Sequence, residues 1–334
     1  GYDYWLAANL LEFCSAAYDC NLWNKDNEKV HLPGYRVDAM TDAVIRYIDD
    51  ANKQDKPFFL FTSYLEPHHQ NHVDDYPPPD GYREQYTGKW MPPDLQQLGG
   101  SSGQHLGGYL GIIKLFYEAL GRIRDALKSL QIDQDTIILY TADHGCHFKT
   151  RNSEYKRSLH ESSVRVPTAF CGPGFDGGGR RKEVTSLVDL VPTLLDASGI
   201  EPTDEMPGRS LMPILRGESK DWEQEVFIQI SESQVGRALR TSRWKYGIVA
   251  PDGDGWNDIG SDNYVESYLY DLHSDPYELH NLIGYASHRE VADHLQNRIL
   301  NAMERAGEPR AGIENHPITR PESQRIVYPE EIGQ

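Results

Sequence analysis

One apolar stripe constrains this chain more than any other feature. Tyr109, Ile112, Ile113, Phe116, Tyr117, Leu120, Ile123 and Leu127 recur at three- and four-residue steps. That spacing predicts an amphipathic helix that must lay one face on a sheet. The β-branched run "TIILY" (136–140) follows it and reads as a buried strand ending in an acid, an imidazole and a glycine. Upstream, Phe58 to Thr62 in "KPFFLFTSYLEPHHQNH" reads as another short buried strand, and "RVPTAFCGPG" as a third, stopped by Gly-Pro-Gly. "TSLVDLVPTLLDASGI" (185–200) reads as a helix, with Pro192 tolerated near its start or as a kink. Strand and helix alternating at these distances predict an α/β fold, a mostly parallel sheet sandwiched by helices.

The texture changes near residue 217. "EVFIQI", "GRALRT", "WKYGIV" and "SYLYDL" are short strands separated by turn residues, followed by a helical stretch near 286–305. The expected organisation is an α/β domain over 1–217, an antiparallel sheet with a helix over 218–306, and an extended tail over 307–334. Residues 74–108, rich in Pro, Gly, Asp and Gln, suit a long insertion or lid rather than regular elements.

Composition narrows the function classes. The net charge of −18 over 334 residues argues against a nucleic-acid partner, which needs a basic stripe. An anionic substrate would have to be captured by local positive charge against that mean field. No apolar run reaches the roughly eighteen residues of a transmembrane segment. Four cysteines are too few for a disulfide scaffold, and Cys14 and Cys20 fit either a bridge or two buried thiols. No Asn-x-Ser/Thr sequon occurs.

The chemistry concentrates in "TADHGCHFKTRNSEYKRSLHESSVRVP" (141–167). In parallel α/β sheets, ligands bind beyond the carboxyl ends of the strands. Asp143-His144-Gly145 and Pro67-His68-His69 both fall there. Asp143 offers an anionic oxygen and His144 an imidazole nitrogen, both ligands for a divalent cation, and Gly145 permits a sharp turn. The same tripeptide also suits a helix cap beside a satisfied loop histidine. Lys149, Arg151 and Lys156 make a cationic cluster that is either a solvated loop or a subsite for an anionic group. His69, Gln70, Asn71 and His72 offer polar contacts for hydroxyls or carboxylates, His72 suiting a plain surface residue best.

In order along the chain, "PFFLFTSYLEPHH", "LGRIRDALKSL", "TIILYTADHG", Lys156, "ESSVRVP", "GRSLMPIL", "GRALRTSRWKY" and "LYDLHSDPYELHNL" resemble the sulfatase family of the alkaline-phosphatase-like superfamily. The resemblance covers about residues 1 to 300. It implies a sulfuric ester hydrolase acting on a sulfated carbohydrate. It implies Asp143 and His144 as ligands of a divalent ion, usually calcium, with magnesium or manganese as alternatives. Lys156, nine residues before the arginine of "SVRVP", would contact the sulfate and the leaving oxygen, and His68 would bind the sulfate. His69, Lys149 and Arg151 are the expected substrate contacts. His68, Asp143, His144 and Lys156 are expected in one cleft.

The family's nucleophile is a formylglycine made in a C/S-x-P-x-R motif, and no such motif occurs here. "GKWMPP" (88–93) is a poor match for the family's "GKWH", so Lys89 reads as a loop residue. The chain opens on "GYDYW" without methionine or leader. The expectation is that the N-terminal nucleophile region, with two further metal aspartates, lies outside it and that the chain alone is inactive. The expected setting is periplasmic or secreted rather than cytoplasmic. A phosphodiester or phosphonate monoester hydrolase of the same superfamily, or a non-catalytic binding protein that keeps the pocket, remain the alternatives.

Overall fold

The apolar stripe lies on the 28-residue helix Ser102–Ser129, which begins upstream of it. Glycines at 107, 108 and 111 sit inside this helix, where each costs about 1 kcal/mol relative to alanine. Packing explains them. A Cβ on Gly108 would fall 2.4 Å from the Tyr76 carbonyl oxygen and 3.0 Å from the Arg83 guanidinium. The 76–83 segment therefore presses directly on the helix backbone.

The computed structural model describes residues 1–9, 11–218, 221–321 and 327–334. These group into two units, one of residues 1–91 with 100–138, the other of 92–99 with 139–334.

In the first unit the helices Arg36–Asn52 and Ser102–Ser129 pack together. Arg122 reaches across to Asp38 at 3.0 Å and also to Asp42, and the Tyr64 ring meets Phe116 edge-on. A small antiparallel sheet of Leu6–Ala7, Cys20–Asn24 and Lys29–Leu32 closes a minor core of Cys20, Leu22, Leu32 and Ala39. Arg36, fully buried, donates from Nε and Nη2 to Glu66 Oε1 at 2.9 and 2.7 Å, and from Nη1 to the Ser15 carbonyl at 3.0 Å. This pair anchors the chain just ahead of His68. The expected buried strand at 58–62 is extended but joins no ladder among the described residues, and Phe59 and Phe61 are exposed. The 74–108 stretch is more regular than its composition suggested. It holds the short helix Tyr82–Tyr86, the start of the long helix and, counted in the second unit, the short helix Pro93–Gln97.

In the second unit, strands Ile138–Tyr140 and Ala169–Cys171 pair. Ser186 and Asp189 cap each other's backbone, opening a 3-10 turn that runs into the helix Leu190–Ala197. Pro192 is only the third residue of that helix, so its missing N–H breaks no bond. The C-terminal sheet runs in the order Gly312–Glu314, Asn263–Asp271, Trp244–Val249, Gly236–Thr241, Glu225–Ile230. Helix Arg289–Arg305 covers one face, and Leu239, Trp244, Tyr246, Ile248, Leu269, Leu295 and Ile299 are fully buried between them. The tail is tied to this sheet. Residues Gly312–Glu314 pair parallel with Asn263–Val265, the Glu331 carbonyl accepts the Trp244 indole N–H at 2.8 Å, and its carboxylate accepts Arg243 at 2.6 Å. Cys14 and Cys20 are two thiols and not a bridge. No described helix is long and apolar enough to cross a membrane.

Candidate active site

Asp143 follows the strand Ile138–Tyr140 and is exposed, with Oδ1 accepting the His144 N–H at 3.0 Å. His144 Nδ1 lies 2.8 Å from the Gly145 carbonyl oxygen. A carbonyl only accepts, so Nδ1 carries the proton and Nε2 the lone pair. That Nε2 sits 3.6 Å from Asp143 Oδ2 and 3.1 Å from Lys156 Nζ. Asp143, His144 and Lys156 therefore meet at one point. Burial, reinforced by the Arg157 charge, lowers the Lys156 pKa below the ordinary lysine value. Gly145 serves a different purpose from the expected sharp turn. A Cβ there would lie 2.2 Å from the Ser162 carbonyl oxygen, while its N–H donates to Ser163 O at 2.7 Å. It is the close approach of two backbones that requires glycine.

The loop between Asp143 and Lys156 is rigidly held. The Lys156 carbonyl accepts from His147 Nε2 at 2.9 Å and from Asn152 Nδ2 at 3.2 Å, and His147 N–H donates to Tyr155 O at 2.8 Å. Phe148, Lys149 and Arg157 adopt left-handed φ values of 51°, 61° and 61°, each a strained position for a non-glycine residue. Phe148 is buried and secures the first of these. Burial also lowers the His147 pKa, which favours the neutral ring.

The expected cationic subsite divides. Lys149 is exposed. Arg151 donates Nη1 to Glu278 O at 2.9 Å and Nη2 to Tyr277 O at 2.8 Å, so it pins the 277–278 turn. Behind the loop, Glu161 and Glu278 both contact Lys245 Nζ at 2.7 Å, and Glu278 Oε2 accepts the Glu161 N–H at 2.7 Å. Asn152 and this buried cluster were not singled out in the sequence. The one visible signal was Asn152, an Asx-turn former four residues before Lys156, and its side chain does accept the Glu154 N–H at 2.8 Å.

In the first unit, His68 is half-buried, with its N–H on the Leu65 carbonyl at 3.0 Å and Nδ1 2.6 Å from the His69 carbonyl. His69 is buried, with Nδ1 3.1 Å from Asn71 Oδ1 and Nε2 3.0 Å from Asp74 Oδ1. It faces inward.

An acid, an imidazole and a lysine gather just after the strand Ile138–Tyr140, and comparison with known proteins decides the family. Residues 1–200 match the sulfatase family model. The chain belongs to the sulfatase family. Residues 153–305 also match the C-terminal model of N-sulphoglucosamine sulphohydrolase. Arylsulfatase K of Bos taurus is 32% identical over 240 residues, 66% of this chain and 41% of that protein. The chain thus spans less than half the length of this curated relative. Among solved structures, the sulfatase-assigned protein yidJ of Bacteroides fragilis superposes with a TM-score of 0.74 at 24% identity, over 92% of this chain and 67% of that one. BT4656, solved with its substrate D-glucosamine-2-N,6-O-disulfate, gives a TM-score of 0.63 at 20% identity, over 92% and 76%. The fold of this sulfatase is therefore the alkaline-phosphatase-like α/β fold with a C-terminal antiparallel sheet.

Proposed function

We propose that this chain carries the metal- and sulfate-binding groups of a sulfuric ester hydrolase acting on a sulfated carbohydrate. The observation that supports it most is the meeting of Asp143, His144 and Lys156, with Lys156 Nζ 3.1 Å from His144 Nε2. Sulfuryl transfer spreads negative charge over the sulfate oxygens, and a fixed cation in a partly desolvated position stabilises that charge more than water does. Lys156 donates to a sulfate oxygen or to the leaving oxygen; the resemblance gives His68 a sulfate-binding role of its own. The carbonyl grip of His147 and Asn152 on Lys156 keeps the ammonium in place during the reaction.

The donor set at Asp143 and His144 fits a divalent ion. An exposed carboxylate lies beside an imidazole whose lone pair faces it at 3.6 Å. Calcium is the favoured ion and magnesium or manganese the alternatives; a hard cation of this kind takes further oxygen ligands beyond these two. When bound, the ion neutralises charge on the sulfate. Formylglycine is the family's nucleophile, and no residue of this chain is assigned that role. Lys149, exposed on the loop between Asp143 and Lys156, is our candidate contact for a further anionic group on the sugar. Arg151 and His69, expected as substrate contacts, are held by protein groups and act as positioning residues. The sugar sulfate is supported by the substrate of BT4656 and by the N-sulphoglucosamine sulphohydrolase match.

The test is kinetic. In the full gene product, Lys156→Ala is expected to lower kcat on an aryl sulfate and on glucosamine sulfates by roughly 100-fold or more. Unchanged turnover in that variant would remove Lys156 from the mechanism. A preference for phosphate over sulfate esters would move the reading to the phosphoesterases of the superfamily.

A further inference from the structure

A second cluster of ligand-type side chains lies entirely within the first unit. His69, Asp74 and His105 each offer one ligand atom, and the three atoms lie within 4.8 Å of one another. His69 and His105 are only 4% and 2% exposed, whereas Asp74 opens to solvent. Two buried imidazoles converging on a carboxylate are not a solvated surface feature.

The orientation of each ring is chemically informative. His105 Nδ1 lies 3.0 Å from Asp75 Oδ1, and Arg83 holds the same carboxylate from its other oxygen. A carboxylate paired with arginine only accepts, so His105 carries its proton on Nδ1 and its lone pair on Nε2. His69 Nδ1 faces Asn71 Oδ1 at 3.1 Å and its Nε2 faces Asp74 Oδ1 at 3.0 Å. A neutral imidazole has one N–H for these two acceptor oxygens; a cation between Nε2 and Asp74 satisfies both. Metal-bound histidines are set in this way, with the non-ligating nitrogen donating to an oxygen acceptor.

The backbone brings the carboxylate round. Gln70 and Asp75 bridge through Gln70 N–H to Asp75 O at 2.8 Å, and Asp74 adopts a left-handed φ of 47° at the turn. Tyr76, 1% exposed, stands edge-on to His69 at 5.2 Å and tilted to His105 at 5.6 Å, walling one side of the cluster.

We propose that His69, Asp74 and His105 form a metal site for a zinc-class divalent ion, separate from Asp143 and His144. Two imidazoles and one carboxylate suit Zn²⁺ or Co²⁺ and not the oxygen-seeking Ca²⁺ or Mg²⁺. The exposed side of Asp74 leaves the fourth position to water. Binding selects the neutral His69 tautomer with its one proton on Nδ1, donating to Asn71 Oδ1, which leaves the Nε2 lone pair to the ion. The ion clips the 69–75 turn to the first turn of the long helix and so fixes the residue that follows His68.

The experiment titrates the metal-stripped chain with Co²⁺ and reads the visible absorption of the bound ion, with Zn²⁺ competing. One ion per chain with a low-symmetry, nitrogen-containing spectrum is expected. Asp74→Asn, an exposed change that leaves the fold intact, should weaken it at least tenfold, and His105→Gln should abolish it. Asp143→Asn should leave the spectrum and affinity unchanged. The proposal is overturned if the wild-type chain shows no such spectrum, if Asp74→Asn binds as wild type, or if Asp143→Asn removes the signal.

Discussion

Replacing Lys245 with methionine tests how the loop bearing Lys156 is supported. The Lys245 ammonium sits 2.7 Å from both Glu161 and Glu278, with side chains 1%, 11% and 1% exposed respectively. Removing the central charge from a buried ion cluster costs about 3–5 kcal/mol, because the remaining charges have lost both water and partner. Two details place this case at about 3 kcal/mol, the low end of that range. Glu161 keeps Arg240 at 3.6 Å, and Glu278 Oε2 keeps the Glu161 N–H. The uncompensated group is therefore Glu278, whose pKa burial already raises even with Lys245 present. In the variant it rises further, and Glu278 takes a proton. A raised folded-state pKa adds stability as pH falls, so the deficit of Lys245→Met should shrink between neutral pH and about pH 5. Urea unfolding followed by tryptophan fluorescence at both pH values measures this. The double variant Lys245→Met with Glu278→Gln should recover more than half of the loss at neutral pH. A single-variant loss below about 1 kcal/mol, the range of exposed pairs, would show that the cluster is hydrated and that this reasoning is wrong.

Three further outcomes are expected. Burial, with Arg151 and Lys245 nearby, pushes the His160 pKa down from 6.5 to about 2. The unfolded chain therefore binds its proton first, and the native state should lose about 1.4 kcal/mol by about pH 5.5; His160→Gln should flatten the urea midpoint over that interval by the same amount. Gly145→Ala should lower stability and turnover together, since its Cβ would overlap the Ser162 carbonyl oxygen at 2.2 Å; wild-type kinetics would mean that the two backbones separate freely. The 334-residue chain assayed by itself on aryl sulfate should be inactive, because it contains no C/S-x-P-x-R sequence; turnover equal to the full gene product would refute the formylglycine mechanism for this protein.

What was legible in the sequence was what local pattern dictates. The alternation in "GRALRT" and "WKYGIV" became adjacent antiparallel strands, and the stripe from Tyr109 to Leu127 became the long helix. Asp143, His144 and Lys156 lie together, with Lys156 Nζ 3.1 Å and Asp143 Oδ2 3.6 Å from His144 Nε2. The helix start was missed because Gly107 and Gly108 look like breakers until Tyr76 and Arg83 are seen pressed against them. Residues 58–62 have strand composition, but pairing is a property of neighbours, and composition cannot show it. His105 carried no signal at all. It lies 36 residues after His69 in the chain, and only the turn at 70–75 and the packing of the long helix bring the two rings to 6.0 Å between centroids.

The cationic loop shows most sharply where sequence reading stops. In a protein of charge −18, Lys149, Arg151 and Lys156 read as one anion-binding cluster. Their roles separate by what each can reach. The planar fork of Arg151 matches two consecutive carbonyls and becomes a staple between the loop and the 277–278 turn. The next residue after Lys156, Arg157, is consumed in the same manner by Glu154 at 2.7 Å and by Glu232. Lysine, a point charge on a flexible stem, has no such fork to satisfy. Lys156 can be gripped through its backbone by His147 and Asn152 while its ammonium is delivered beside His144. The arginines build the loop so that the lysine within it can be aimed. Lys156→Arg should therefore fail where a simple charge would suffice, because the larger fork would bridge to the same carboxylates that hold Arg157.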